Sequence, residues 1–240
     1  MNALLIAKRD LAAYLHGFGG MAIISTMLFI DGLLFQVFVI GTGEKYSHEI
    51  LEQFFYMSSG VVMIASVLIT MRAIAEERQT GTDVLLHTSP VSEWQIVVGK
   101  YLAAMGMLTL LTLLTAYMPA LIFVNGKVSY AHIATGYLGL LSLGSATTAI
   151  GIFGSSLFRN QFGAAIVSGV IVVSMLLCWL LSELVSAPFT DVVAYMALFD
   201  KHFMPFMEGR LLSTGLTFYA SVTFVFLMLS SRMLEGRRWQ

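Results

Sequence analysis

The chain is short of charge. Asp, Glu, Lys and Arg make up 11% of its 240 residues, against 58% hydrophobic, where soluble domains carry about 25% charged residues. A water-facing surface is hard to build from so few charges, which argues against a large soluble helical bundle. The net charge is −1, and no basic face exceeds a few residues, so no nucleic-acid partner is expected. The one cysteine, Cys178, lies in an apolar run and has no second thiol to pair with. The five histidines (His16, His48, His87, His132 and His202) show no H-E-x-x-H and no paired Cys/His spacing, so no metal site and no cofactor are expected. A Walker A loop, G-x-x-x-x-G-K-[ST], is missing. Gly99-Lys100 is followed by Tyr101, with Trp94 where the first glycine belongs, and Gly126-Lys127 is followed by Val128. The chain therefore has no P-loop nucleotide site of its own. Short segments of alternating polarity, the mark of a membrane barrel, are also missing, and no nucleophile–base constellation suggests an enzyme.

Long apolar runs fill the chain instead. A bilayer core about 30 Å thick needs roughly 20 apolar residues per helix. Six runs qualify, at about 19–42, 54–71, 102–124, 132–157, 163–182 and 214–232. Lipid offers no partner to backbone N–H and C=O groups, so these runs read as helices. The expected fold is an all-α integral membrane protein with six transmembrane helices in one domain spanning 1–240. The first run is too long for a signal-peptide core and reads as an uncleaved span.

With six spans both termini share a side. Lys8, Arg9, Arg72, Arg78, Lys100, Arg159, Arg232, Arg237 and Arg238 lie on it, and Lys45, Lys127, Lys201 and Arg210 lie opposite: 9 basic residues against 4. The positive-inside rule puts the termini in the cytoplasm, which for a bacterial chain means the inner membrane. Residues 1–17 carry Leu4, Leu5, Leu11 and Leu15 around Lys8 and Arg9, a spacing that fits an interfacial helix or simple flanking sequence. On the outer side, 43–53 reads as an acidic loop. Residues 190–199, bracketed by Pro188 and Pro205, read as a short helix in the outer leaflet, re-entrant or merely interfacial, ending near Asp200.

The most informative stretch is the cytoplasmic loop 72–100. The second span is expected to run on into 72–78 until Gly81-Thr82 breaks it. Thr82 caps a short helix with Asp83 at its positive end, and Ser89-Pro90 ends that helix. Ser92 and Gln95 form a capping box that opens the next helix, with Trp94 at the interface and Lys100 reaching toward headgroups. The result is a compact knob built onto two spans. By periodicity alone it is either a force receiver or an ordered connection.

The residues themselves add to this. Glu76, Glu77, Arg78, Gly81, Thr82, Leu85, Leu86, Thr88, Pro90, Val91, Ser92, Gly99 and Lys100 closely resemble the loop after the second span in ABC transporter type-2 (exporter-type) permeases. The stretch GIFGSSLFRNQFGAAI is similar to that family's TAIGIFxSSLxxNQ segment. LFDKHFMPFMEGRLLS and SRMLEGRRW resemble the tail of its gliding-motility branch. The resemblance implies a permease that pairs with a second permease half, identical or related, and with two ABC ATPase subunits. It implies a coupling helix that docks in an ATPase groove. By position that site comprises Glu76, Glu77, Arg78, Gly81, Thr82, Asp83, Leu85, Leu86 and Pro90. The energy source would then be another polypeptide.

Two features inside the spans stay open. Asp31 lies midway along the first span, where a carboxylate costs on the order of 3 kcal/mol; it reads as a pathway or permease-interface residue, or as a hydrogen-bonded carboxyl packed on a neighbouring helix. Gly144, Thr148, Gly151 and Ser155 share one face of the fourth span. Such a face allows close helix approach, either to a second permease or within the chain. Rival functions are a secondary transporter, which should show midplane charges on several spans and internal repeats, and a membrane anchor or assembly subunit that docks an ATPase without altering its turnover.

Overall fold

The structure is a computed structural model that describes residues 2–40, 46–81, 91–125, 129–184 and 189–237. It is all-helical, with no strand among the described residues. In chain order the helices are α1 (Asn2–His16), α2 (Phe18–Leu34, continued as a π-helix over Phe35–Ile40), α3 (Ser47–Thr70), α4 (Ala75–Thr80), α5 (Glu93–Leu114) and α6 (Tyr117–Asn125). They are followed by α7 (Tyr130–Leu157), α8 (Gln161–Leu176), α9 (Cys178–Leu184), α10 (Phe189–Tyr195), α11 (Met204–Met207) and α12 (Ser213–Arg237). Five helical stretches are long and apolar enough to cross a bilayer: Phe18–Ile40, Ser47–Thr80, Glu93–Ile122, Tyr130–Leu157 and Ser213–Gly236. A sixth arises if α8 and α9, bent by 49°, count as one broken span. The chain is an all-α, multi-pass membrane protein.

The central element is α7, against which α3, α5, α8 and α12 all pack. Small residues make this possible. A Cβ at Gly136 would sit 2.2 Å from the Phe55 ring, at Gly144 2.5 Å from Leu108, and at Gly151 1.9 Å from the Thr70 hydroxyl. A chain of hydroxyls ties three spans across the interior: Tyr101 to Ser145 at 2.7 Å, and Ser145 to Thr223 at 2.9 Å. In lipid, packing and such hydrogen bonds replace the hydrophobic force between helices. The faces turned away from the bundle stay apolar, with Phe29, Leu33 and Phe38 on the first span and Phe224, Val225 and Met228 on the last all exposed.

Local chemistry explains the breaks. Pro119 sits four residues after Thr115, where α5 gives way to α6, because a proline ring clashes with the carbonyl four residues back. No proline lies at the α8–α9 bend; there Met175 O accepts from Leu198 N at 3.1 Å, an outside donor brought to the helix backbone. Residues 47–53, read from sequence as outer loop, belong to α3. Tyr46 N donates to the Glu49 carboxylate at 3.3 Å and opens the helix before the apolar run begins. The helix expected over 190–199 stops at Tyr195, because Leu198 N leaves the helical pattern for Met175.

Beyond Tyr195 the chain folds inward as a plug. Leu198, Phe203 and Phe206 are fully buried, and His202 is 2% exposed. The His202 ring stacks on Phe218 at 3.8 Å and 11°, and its Nε2 donates to Tyr195 O at 3.0 Å. Tyr219 donates its hydroxyl to Leu198 O at 2.7 Å, and His132 of α7 holds the Met207 carbonyl. A proton added to His202 goes to Nδ1, which is buried without a partner. Burial, with neighbouring Lys201, holds the His202 imidazole below its ordinary 6.5. The undocked segment therefore binds that proton more readily than the docked one, and the docked form loses stability as pH falls below about 6.5. Hydrogen–deuterium exchange of amides 196–207, corrected for intrinsic rates, should accelerate between pH 7.5 and 5.5. His202→Phe should flatten that response, and a flat response in the native chain would count against it.

Candidate functional site

The elbow between the second and third spans is built from the ends of four helices. The second span runs on to Thr80, as its sequence suggests, but not as one regular helix: α3 stops at Thr70, the chain turns over 71–74 and restarts as α4. The cause is Ser155, the last small residue on the α7 face. Its hydroxyl accepts from Ile74 N and Ala75 N, both at 3.0 Å, and donates to Met71 O at 3.3 Å. One side chain thus satisfies backbone groups that a helix break leaves open. Thr70, turned into the space left by Gly151, bonds its hydroxyl to Ser66 O at 2.6 Å. At the far end of α4, Gly81 adopts φ 72° and returns its N–H to Glu77 O, the left-handed cap that glycine adopts without steric cost. Arg78 donates to Ser156 O. Ala73, Ile74, Val97, Ala149, Ile152, Leu227 and Leu234 form a separate apolar cluster beneath the elbow, which joins it to α5, α7 and α12.

Charge completes the site. Lys100, about two turns into α5, is turned into its own chain. Its side chain is 3% exposed, and Nζ lies 2.7 Å from Glu77 and 3.3 Å from Asp10. Arg9 bridges the same two acids at 3.1 and 2.7 Å. This corrects the snorkelling expectation: ion pairing within the chain outcompetes a long reach to the interface, because a buried ammonium needs a partner. The first helix is drawn in too. It packs along α5, where a Cβ at Gly99 would stand 2.8 Å from Ala3 O and 2.9 Å from Ile6. Tyr14 donates to Ile69 O at 3.3 Å. Burial, with Asp10, Glu76 and Glu77 adding to it, pushes the Tyr14 phenol up. These groups line a cavity of about 120 Å³ between α1, α4 and α5. The opposite face of α1, with Leu4 and Leu5, stays exposed.

Of the residues that sequence assigned to this site, Glu77 and Arg78 are held in the network, Glu76 is exposed, and Gly81 caps α4. Thr82, Asp83, Leu85, Leu86 and Pro90 lie outside the described residues. Ser92 and Gln95 form the expected box, each backbone N–H donating to the other's side chain at 3.4 Å. Trp94 is half-exposed against Phe224. Asp31 is 2% exposed, and both carboxylate oxygens accept from the Ser58 hydroxyl at 3.0 and 3.2 Å, the arrangement of the packed alternative. Gly144, Thr148 and Gly151 are likewise turned into their own subunit. Sequence reasoning missed Asp10 and Tyr14, and the capping role of Ser155. A usable signal existed for Asp10: it is the one acid among the first residues, beside Arg9.

Taken together, these elements define a polytopic helical membrane subunit with a rigid, charge-locked elbow joining its second and third spans. The sequence matches the family described as ABC-2 family transporter protein over residues 41–199, a stretch that contains the elbow and the four middle spans, the broken α8–α9 pair counted as one. The chain belongs to that family; it is a membrane permease subunit of an ABC transporter, a class that works with ABC ATPase subunits. No curated protein matches it.

Two substitutions test how the elbow is held. Ser155→Ala leaves Ile74 N and Ala75 N without their acceptor and should destabilise the fold by about 2 kcal/mol, with faster amide exchange concentrated at 71–78. Lys100→Met leaves Glu77 and Asp10 crowded and half-compensated and should cost about 3 kcal/mol. Thermal unfolding in detergent reads both, and wild-type exchange at the elbow in Ser155→Ala would refute the capping role.

Proposed function

We propose that this permease couples ATP hydrolysis in a separate ATPase subunit to movement of its spans, and that the elbow receives the force. The observation that carries this reading is the fixation of α4 at both of its flanks, by Ser155 and by Lys100, so that a push on the elbow reaches α3, α5 and α7 together. The segment between Gly81 and Val91 is the docking element on this reading, with Asp83, Leu85, Leu86 and Pro90 assigned by sequence position. Two ATPase subunits and a second permease half, identical or related, complete the complex. Both termini and the elbow face the cytoplasm of a bacterial inner membrane, α1 lies along the inner interface, and the plug after Tyr195 faces outward.

The tail resemblance supports the gliding-motility branch, in which the second half is a permease-like protein with a large extracytoplasmic domain and the complex serves export or surface movement. The cargo is left unassigned, because the spans carry no charged pathway. The packing of Asp31 on Ser58 weighs against a secondary transporter, which needs ionisable groups facing a path. An anchor or assembly role differs in one measurable respect: it would bind the ATPase without altering turnover.

Leu85→Pro should leave membrane insertion intact, because it lies outside every span. It should abolish coupling between ATP hydrolysis and function, as should reversing the charges of Glu76 and Arg78. The check is co-purification of the native complex followed by ATPase turnover in proteoliposomes. Wild-type coupling in Leu85→Pro would sink the proposal, and unaltered turnover with and without the native permease would favour the anchor.

A further inference from the structure

Gly60 on α3 and Gly169 on α8 are unlike the glycines of α7. Among the described residues, and beyond the helix's own adjacent backbone, nothing comes within 4 Å of where their Cβ atoms would be, whereas Phe55, Leu108 and Thr70 fill the spaces at Gly136, Gly144 and Gly151. The empty volume belongs to a groove between α3 and α8. Two hollows of about 300 and 560 Å³ meet there and share Gly60, Met63, Ile64 and Leu176. One end is wholly apolar, closed by Val67, Leu68 and Val172. At the other end stand Tyr56, Ser59, Trp179 and Asp200.

Asp200 makes that end distinctive. Its Oδ2 is buried without a hydrogen-bond partner, and burial pushes its carboxyl above the ordinary carboxylate range, a penalty that an adjacent cation removes. The neighbouring Lys201 is engaged elsewhere, over the Tyr195 ring at 5.7 Å. Tyr56 and Trp179 are half-exposed aromatics of the kind that sit at headgroup level. Among the described residues no cation lines the groove, so an anionic headgroup would find no opposite charge there and would stand beside the Asp200 carboxylate.

We infer that this groove seats one acyl chain of an amine-headed phospholipid, the chain lying between Gly60 and Gly169 and the ammonium on Asp200. An apolar channel bounded by spans and open along its length suits an alkyl chain. A buried acceptor lacking a donor suits a primary ammonium. The inference rests on the membrane-spanning fold and not on ATPase coupling.

The test reconstitutes the full chain, with its ATPase where the two co-purify, in nanodiscs of equal phosphatidylethanolamine and phosphatidylglycerol. Lipid retained after transfer to detergent is then quantified by mass spectrometry. The native protein should hold phosphatidylethanolamine over phosphatidylglycerol by about tenfold, the value of one charge-assisted hydrogen bond. Asp200→Asn should keep the lipid and lose the preference, and Gly169→Leu should fill the groove and lose the lipid. Equal retention of the two lipids by the native chain would overturn the proposal. So would wild-type lipid retention in Gly169→Leu with an unchanged unfolding temperature, or efficient Gly169→Cys crosslinking between two copies, which would make the groove a protein interface. If Gly169→Leu fails to fold, the Asp200→Asn comparison decides alone. Loss of ATPase co-purification in the same preparations bears on the coupling reading and leaves the lipid result standing.

Discussion

The structure depends on how closely α7 approaches α3. Between two helices in lipid there is no hydrophobic driving force, so contact has to come from packing and hydrogen bonds. Glycine at 144 and 151 admits Val62 and Thr70 of α3 to the backbone of α7. That approach is what brings Ser155 within 3.0 Å of the Ile74 and Ala75 amides. A larger residue at Gly151 would separate the helices at Thr70 and carry Ser155 out of range. The turn over 71–74 is therefore not a frayed helix end. It is held by a side chain from another span, and it sets the direction in which α4 continues from α3.

That direction decides where charge can go. Glu77 reaches Lys100 only because α4 restarts at Ala75. Burying an ammonium carries a large desolvation penalty, and a buried ion pair adds little net stability over a well-packed apolar pair. Its consequence here is specificity of arrangement. Lys100 takes two acids from two different helices, Asp10 from α1 and Glu77 from α4, and so fixes both against α5.

Much of this was legible in sequence where the signal is local. The apolar runs give the spans, since length and composition alone decide whether a segment crosses lipid. The Ser92–Gln95 box and the Gly81 cap were readable because each is completed within a few residues. What was illegible was completed from afar. Asp10 lies 90 residues from Lys100, so an isolated lysine at a span end looked like one reaching for headgroups. Ser155 lies 84 residues from Met71 and looked like one more small packing residue. The helix over 190–199 was cut short by a carbonyl on another span, which no propensity reveals. For Asp31 the sequence leaves two alternatives open, and the packed one requires a partner, Ser58 on α3, that lies 27 residues away.

The two ends of the bundle are locked in different ways, and this bears on how a displacement travels. At the elbow, polar contacts from α1, α5 and α7 converge on a few residues. At the other end, His202, Tyr219 and His132 pin a short plug through backbone carbonyls. Between them α7 meets its neighbours through glycine, alkyl and hydroxyl contacts, which slide at lower cost than ion pairs break. If the elbow receives a push as proposed, the polar ends are strained least when α3, α5 and α7 move as one body.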